Sequence, residues 1–299
     1  MSVFSGYQFS RLVRPVLIIV LLCLSGFSGP EEGEGIFPPY HLIEKKIRAE
    51  FDSRALFPWE QYYEILTKLK ESKFRVLPLY EMAKESDPGK VVVGIRHDID
   101  LNPFKALDMA RIEHKFGFRA TYFILGTAEY NGSFKGSTLV RSKGIGYLYR
   151  ELSETGAEIG IHNDLLTIMI LYHIDPFKFN KSELSYFRSL NIPIYGTASH
   201  GSEIAKKTVQ NYQIFSDFAK SDSIAYEGRK YPVGKYSLEK YGYKYEAYFI
   251  NFNIYLSDSR GKWNDPQGFS GVMKKLGESK PGDRIEMLIH PVWWGKSGS

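Results

Sequence analysis

Cysteine is nearly absent from this sequence, which contains a single one, Cys23. One thiol excludes an intramolecular disulfide framework, and it also excludes every zinc site that is built on several cysteines. A metal ion in this protein would therefore be held by histidine and carboxylate side chains. The chain has seven histidines, so the question is which of them the fold brings close to carboxylates.

Blocks of charge of one sign are absent as well. The net charge of +5 is spread along the chain without a cluster of Lys or Arg, which excludes the basic footprint that is typical of nucleic-acid binding. Hydrophobic residues make up 43% and charged residues 24% of the chain, and these globular values exclude wholesale disorder and a fibrous repeat. We therefore expect a folded protein with no nucleic-acid partner.

The N-terminus has the three parts of a secretory signal. Arg11 and Arg14 form a positive flank, residues 16–24 are an unbroken apolar run, and residues 25–29 are mostly small. The run is too short to cross a hydrocarbon core of ~30 Å at ~1.5 Å per residue. We predict a signal peptide over residues 1–28 that is cleaved at its end. An uncleaved N-terminal anchor or a buried N-terminal helix is the alternative.

This segment also sets the expected localisation and domain organisation. A signal peptide predicts export to the periplasm, the cell envelope or the medium, and any membrane association would involve the N-terminal segment alone. We expect residues 29–50 to form a leader and residues 51–299 to form one domain, because no linker or internal repeat divides them. The sequence carries no indication of the oligomeric state.

Short apolar runs alternate with amphipathic stretches along the rest of the chain. The run Val91-Val92-Val93-Gly94-Ile95 is typical of a strand buried on both faces of a parallel sheet. Asn102 and Gly117 stand where an N-cap and a C-cap belong, around a helix that begins with Pro103. The predicted strands are 91–95, 120–125, 158–162, 194–198 and 285–290, and the predicted helices are 59–70, 103–116, 145–155 and 181–190. This alternation predicts an α/β fold, either an open sheet or a (β/α) barrel.

Chemically reactive side chains follow four of these strands at the point where each strand ends. They are Asp98 and Asp100 after the first strand, and His162, His200 and His290 after three others. Because the carboxyl ends of parallel strands meet at one edge, we expect a site at the C-terminal end of the barrel. Each residue alone has an ordinary explanation as a turn, cap or core residue, whereas their joint placement favours a site.

Strand geometry sorts the first group of these residues. With a side-chain period of two, Asp98 and Asp100 point to one face of the strand, and His97 and Ile99 point to the other. Two carboxylates on one face, near several histidines, form a suitable set of ligands for zinc or a hard divalent ion. One of the two carboxylates would then be left as a base.

Four short motifs stand at the strand ends. They are Arg96-His97-Asp98-Ile99-Asp100, Glu158-Ile159-Gly160-Ile161-His162, Ser199-His200-Gly201 and Leu288-Ile289-His290-Pro291. Over residues 91–294 this series resembles the polysaccharide deacetylases (carbohydrate esterase family 4 and relatives), especially the divergent branch whose first motif reads His-Asp-x-Asp. The resemblance implies a distorted (β/α) barrel with a bound divalent metal, in a catalytic domain that hydrolyses N-acetyl groups on sugars.

The resemblance implies a role for each of the central residues. Asp98 would be the general base and His290 the general acid, while Asp100 and His162 would bind the metal. Asp258 and Trp263 are similar to a late Asp/Trp motif that braces the catalytic histidine and lines the substrate pocket. Flat faces for sugar rings are expected from these residues: Trp263, Trp293, Trp294 and Tyr195.

Two departures from the family pattern affect the metal site. The second motif of the family supplies a further histidine four residues after the first, and here that position is Leu166. The Arg-rich third motif is also missing, and residues 195–201 stand roughly in its place. His200 is our candidate for the missing ligand, followed by Asp164 and then His97, for which core packing is the favoured interpretation.

The sequence therefore predicts one divalent metal ion, with zinc as the first candidate, and a carbohydrate substrate. The principal hypothesis is an active deacetylase. A catalytically inactive carbohydrate-binding relative is a second hypothesis, because a histidine and the Arg motif are missing. A metal-dependent hydrolase of another class, such as a phosphoesterase, is a third, although the clusters that a two-metal site needs are absent from the sequence.

Overall fold

A parallel β-sheet forms the centre of the protein in the computed structural model, which describes residues 39–296. The signal peptide predicted over residues 1–28 lies outside the described residues, as do Cys23 and the first part of the predicted leader. The described residues belong to one compact unit. The strands are β1 (Phe57–Pro58), β2 (Phe74–Leu77), β3 (Val91–Ile99), β4 (Thr121–Leu125), β5 (Gly132–Lys135), β6 (Thr138–Arg141), β7 (Glu158–Asn163), β8 (Ile194–Ser199), β9 (Ser223–Tyr226), β10 (Arg229–Pro232), β11 (Tyr245–Glu246), β12 (Ile254–Ser257), β13 (Arg284–Ile289) and β14 (Trp294–Lys296).

Helices connect the strands, largely as predicted. They are α1 (His41–Phe51), α2 (Trp59–Leu69), α3 (Leu79–Met82), α4 (Pro103–Phe116), α5 (Ile145–Glu154), α6 (Leu165–Ile170), α7 (Pro176–Ser189), α8 (Glu203–Lys207), α9 (Leu238–Tyr241) and α10 (Phe269–Glu278). The predicted caps of α4 are confirmed, because Asn102 accepts a hydrogen bond from the backbone N of Lys105 at 3.1 Å and Gly117 follows with φ of 77°. Helix α7 begins before the predicted residue 181, because Asp175 caps it by accepting from the backbone N of Lys178.

The sheet has eight strands and curls into a half-barrel. Seven strands pair in the order β11-β8-β7-β4-β3-β13-β12, and every pair in this row is parallel. Strand β2 pairs with residues 91–94 of β3, and β4 pairs with residues 96–99. The arrangement is compatible with the predicted (β/α) barrel. Since the strands run in one direction, their C-terminal ends lie at one edge.

Strand β3 is the buried central strand that its apolar run predicted. All nine of its residues are buried, as expected for a strand covered on both faces. The strand is longer than the predicted 91–95 because its pairing with β4 continues to Ile99. Asp98 is therefore part of the strand itself. At Gly94 a β-carbon would lie 2.6 Å from atoms of Leu79 and Met82, so glycine allows α3 to pack closely on β3.

The N-terminal helix α1 packs on the domain. Ile47 and Phe51 of α1 are buried, and the ring of Tyr40 lies 5.5 Å from that of Phe104 in α4. The leader predicted over residues 29–50 is therefore too long, because its second half forms part of a packed helix. Among residues 39–296, no helix is both long enough and apolar enough to cross a membrane.

Candidate metal centre and active site

Three strand ends bring Asp100, His162 and His200 together at the C-terminal edge of the sheet. Asp100 follows β3, His162 is the penultimate residue of β7, and His200 follows β8. His162 Nε2 lies 3.3 Å from Asp100 Oδ1 and 3.1 Å from His200 Nδ1. Asp100 Oδ1 lies 3.5 Å from His200 Nδ1. The three side chains that we predicted as ligands thus form one group that could hold a metal ion.

The hydrogen bonds of this group leave one atom of His162 and one of Asp100 free to donate electron pairs, with His200 Nδ1 beside them. His162 Nδ1 donates to the carbonyl of Ala198 at 2.9 Å, so the lone pair is on its Nε2. Asp100 Oδ1 is buried and accepts no hydrogen bond from a described residue, although buried carboxylate oxygens normally have a partner. A cation is the partner that satisfies such a convergence of lone pairs.

The spacing of the group fits a small divalent ion. Bonds of ~2.0–2.1 Å at tetrahedral angles place ligand atoms roughly 3.3 Å apart, and the three measured separations are 3.1, 3.3 and 3.5 Å. Two imidazoles and one carboxylate suit zinc and other first-row ions without choosing among them. Three protein ligands also leave a coordination position open, as catalytic zinc sites do.

The surroundings keep Asp100 and His200 in the forms that bind a cation, whereas the charges of Asp98 and Asp100 outweigh burial and raise the pKa of His162. Burial alone would raise the pKa of Asp100, but the neighbouring imidazoles of His162 and His200 hold this pKa below its ordinary value. Burial and the neighbouring charge of His162 lower the pKa of His200. An ionised carboxylate and a neutral imidazole are the forms of these side chains that coordinate metals.

Asp98 lies beside the metal group without being part of it. Its Oδ2 is 3.5 Å from His162 Nε2, and its two oxygens each accept a hydrogen bond of 2.8 Å from Arg96. Arg96 also donates to Glu286 of β13 at 3.0 Å. Burial alone would raise the pKa of Asp98, but the charge and hydrogen bonds of Arg96, together with the charges of His162 and His290, hold this pKa below its ordinary value. Asp98 is thus a buried carboxylate that stays ionised next to the candidate metal site.

His290 follows β13, the neighbour of β3, and is held by Asp258. His290 Nδ1 lies 2.7 Å from Asp258 Oδ1, and the backbone N of His290 donates to the same carboxylate. Trp294 Nε1 donates to Asp258 Oδ2 at 2.8 Å. Burial alone would lower the pKa of His290, but the hydrogen bond and charge of Asp258 raise it to about 9. His290 is therefore protonated at neutral pH, and its charge acts on both Asp98 and Asp100.

Replacing Asp258 with asparagine should lower the pKa of His290 from about 9 toward the ordinary histidine value of ~6.5, because the amide carries no negative charge. NMR titration of the His290 ring in metal-free protein measures this change. Because folding raises this pKa, the pair stabilises the fold fully below pH ~6.5 and loses that contribution as the pH rises through about 9.

The difference in the free energy of unfolding between wild type and Asp258→Asn should therefore decrease as the pH rises from ~6.5 to about 9. The variant keeps one acceptor oxygen in place of two for Trp294 Nε1 and the backbone N of His290, and the hydrogen bond that it loses adds a part that does not depend on pH. A circular-dichroism spectrum controls for the fold. An unchanged His290 titration in a folded variant would contradict the role that we give to Asp258.

A cleft of about 650 Å³ opens over this edge of the sheet. Asp100 and His200 line the cleft, together with Thr127 after β4, Asp164 after β7, and side chains of α1, α6 and α8. A molecule in the cleft would therefore meet two of the three candidate metal ligands directly. The remaining space is available to parts of a substrate that do not react.

The aromatic residues that we expected to bind sugar do not line this cleft. Tyr195 is at the start of β8, roughly 16 Å from His200 at ~3.3 Å per residue, and it stacks on Tyr80 with ring centroids 4.1 Å apart. Trp263 is only 6% exposed and belongs to the core, and Trp293 is partly buried outside the cleft lining. The position of Tyr195 in the sequence motif gave no sign that it lies near the start of β8, whereas the site lies beyond the end of this strand.

Two acidic candidates have structural roles. Asp258, which we expected both to brace His290 and to line the substrate pocket, is fully buried, and its oxygens are occupied by His290 and Trp294. It positions His290 and does not face the cleft. Asp164, the alternative ligand, accepts hydrogen bonds from Thr127 at 3.0 Å and from the hydroxyl of Thr167 at 2.7 Å. Asp164 is therefore satisfied by protein donors and lies outside the metal group.

Arg96 and Glu286 belong to the site but were not predicted from the sequence. Arg96 stands two residues before Asp98, so the same side-chain period of two places it on that face of β3. The partner Glu286 could not be found in this way, because only the strand order sets β13 beside β3. His97 points to the opposite face, where its buried ring stacks on Tyr122 with centroids 4.2 Å apart, and its core position is confirmed.

Comparison with known proteins identifies no relative of this chain. No family model matches the chain, no curated protein matches its sequence, and no solved structure matches its fold. The resemblance to polysaccharide deacetylases therefore depends on the four short motifs. What stands independently of them is a group of one carboxylate and two imidazoles at the end of a parallel half-barrel, with a second carboxylate beside it.

Proposed function

We propose that this protein is a metal-dependent hydrolase that removes acetyl groups from an N-acetylated sugar or polysaccharide, on a distorted barrel of the polysaccharide deacetylase type. The observation that carries the proposal is the position of Asp98. This ionised carboxylate lies 3.5 Å from His162 and outside the group of Asp100, His162 and His200. A ligand set with an uncoordinated base beside it is the arrangement that metal-assisted hydrolysis needs.

Each of the central residues has a separate role in the proposed hydrolysis of the amide. Asp100, His162 and His200 would hold one divalent ion, with zinc as the first candidate, and that ion would supply Lewis-acid activation of water and of the acetyl carbonyl. Asp98 accepts the proton that water loses as its oxygen bonds to the acetyl carbon. His290 gives its proton to the amine nitrogen as the carbon–nitrogen bond breaks. The products are acetate and a free amino sugar.

An inactive carbohydrate-binding protein is the second candidate. The observation that favours it is the pair of hydrogen bonds from Arg96, which occupy both oxygens of Asp98. In that case the protein would bind an ion and a sugar without releasing acetate. A two-metal phosphoesterase is disfavoured, because residues 39–296 contain one candidate ligand group and not two.

Acetate release by the purified protein tests this proposal. The substrates are N-acetylglucosamine oligomers, and activity is measured after zinc loading, after chelation and after zinc is restored. We expect acetate release with zinc, loss with the chelator and recovery on reloading. Sugar binding without acetate release would favour the inactive relative. Phosphate release from a phosphoester without acetate release would favour the third hypothesis.

A further inference from the structure

The cleft is larger than the proposed reaction requires. Its volume of about 650 Å³ is in the range that accommodates drug-sized ligands, whereas the chemistry concerns one acetyl group. Asp100 and His200 occupy part of its wall, and Tyr172 is another part of the same wall. A substrate that reaches the ligands therefore passes over a surface that includes an aromatic ring.

The ring of Tyr172 is supported from behind and open on its other side. It stacks on Phe134 of β5 with ring centroids 4.0 Å apart and planes inclined by 28°. Even so, Tyr172 is 37% exposed, and the adjacent Leu171 is 54% exposed. An aromatic ring with one covered face and one open face presents a flat apolar surface to the cleft. The C–H face of a sugar ring packs on such a surface.

The backbone holds this ring in place at some conformational cost. Tyr172 follows the end of α6, where the backbone N of Ile174 donates to the carbonyl of Ile168 at 3.1 Å. The hydrogen bond ends the helix in a tight turn, and this turn requires His173 to adopt a left-handed conformation with φ of 54°. Residues other than glycine are uncommon there, and such strain is concentrated at functional sites. Tyr172 is thus presented by a turn that a backbone hydrogen bond closes.

The charges at the rim of the cleft restrict the class of sugar. Exposed carboxylates come from Glu50, Glu129 and Glu203, and exposed cations from Arg54 and Lys207. A polyanionic chain is normally recognised by a cluster of cations. Glu203 is paired with Lys206, and the described residues that line the cleft include no cluster of cations, so an uncharged chain is the better match.

We propose that Tyr172 is a specificity residue on which a non-reacting ring of an uncharged sugar chain stacks. This inference rests on the proposed deacetylase function. It accounts for the size of the cleft, for the open face of Tyr172 and for the strained turn that presents it.

The test compares substrate length with the loss of the ring. The zinc-loaded full chain is assayed on N-acetylglucosamine oligomers from monomer to hexamer, as wild type, Tyr172→Ala and Tyr172→Phe. Tyr172→Ala should lower kcat/KM for the hexamer by about tenfold, mainly through KM, and leave the monomer unchanged. Tyr172→Phe should behave as wild type, because the face of the ring is kept. Tyr147→Ala is the matched control, since Tyr147 is 53% exposed on α5, outside the cleft lining.

Binding of the same oligomers, measured by calorimetry, separates this inference from the proposed function. In one outcome, wild type releases no acetate and still binds the hexamer about tenfold more tightly than Tyr172→Ala does. That result would support the stacking role of Tyr172 and contradict the proposed enzymatic function. The inference is overturned if Tyr172→Ala matches Tyr147→Ala in both assays, or if it impairs monomer and hexamer equally. It is also overturned if the wild-type chain binds no oligomer, or if a polyuronate competes as well as the hexamer does.

Discussion

Asp100→Ala is expected to lower the affinity for a divalent ion by at least about 100-fold and to abolish acetate release. Asp100 supplies the only carboxylate in the group of three candidate ligands described above, and its loss leaves two imidazoles. The expected loss exceeds the 10–100-fold that removing an outer partner of a metal ligand typically costs. Equilibrium dialysis against zinc, with metal content read by mass spectrometry, measures the affinity.

Asp164→Ala is the matched control for this prediction. Asp164 is a carboxylate in the wall of the same cleft, but its oxygens accept hydrogen bonds from Thr127 and Thr167. Its loss should leave the metal content unchanged even if it reduces stability. Full metal retention in Asp100→Ala, or loss of the metal in Asp164→Ala alone, would reverse the assignment of the ligand.

Asp98→Asn should separate the reaction from metal binding. We expect a loss of about 10²–10⁴ in kcat, the range for removal of a general base, with full metal content. The asparagine keeps the shape of the side chain and still offers Arg96 an acceptor, so the fold should survive. Single-turnover acetate release from zinc-loaded protein, together with metal analysis of the same sample, measures both quantities.

Glu286→Gln shows whether the effect of Asp98→Asn comes from the reaction or from the ion pair. Glu286 is the other carboxylate that Arg96 contacts, and it is equally buried. The same change from carboxylate to amide there should leave kcat within about tenfold of wild type. Equal losses in the two variants would mean that the pair with Arg96, and not proton transfer by Asp98, limits the activity.

The local elements of the fold could be predicted because short-range physics determines them. The run of valines before Asp98 is typical of a strand that is buried on both faces, and β3 is such a strand. The caps of α4 follow from Asn102, Pro103 and Gly117, each of which acts within one helical turn. The same logic would have placed the start of α7 correctly, since Asp175 and Pro176 form an equivalent cap.

The site could be predicted only in part, because it depends on which strand ends meet. Asp100 and His162 come from β3 and β7, which are separated by β4, and no local pattern reveals that order. His200 was proposed because Leu166 cannot bind a metal, and the parallel pairing of β7 with β8 places it beside His162. Tyr195 lies on that strand too, but at its far end.

The position of a bound ion tests the central claim of this account most directly. Crystals of the full chain grown with zinc, measured on both sides of the zinc absorption edge, would locate the ion by its anomalous signal. We predict one strong peak within ~2.0–2.2 Å of one oxygen of Asp100, of His162 Nε2 and of His200 Nδ1. No peak there at saturating zinc, or a peak coordinated by Asp98 or Asp164 in place of His200, would contradict the account.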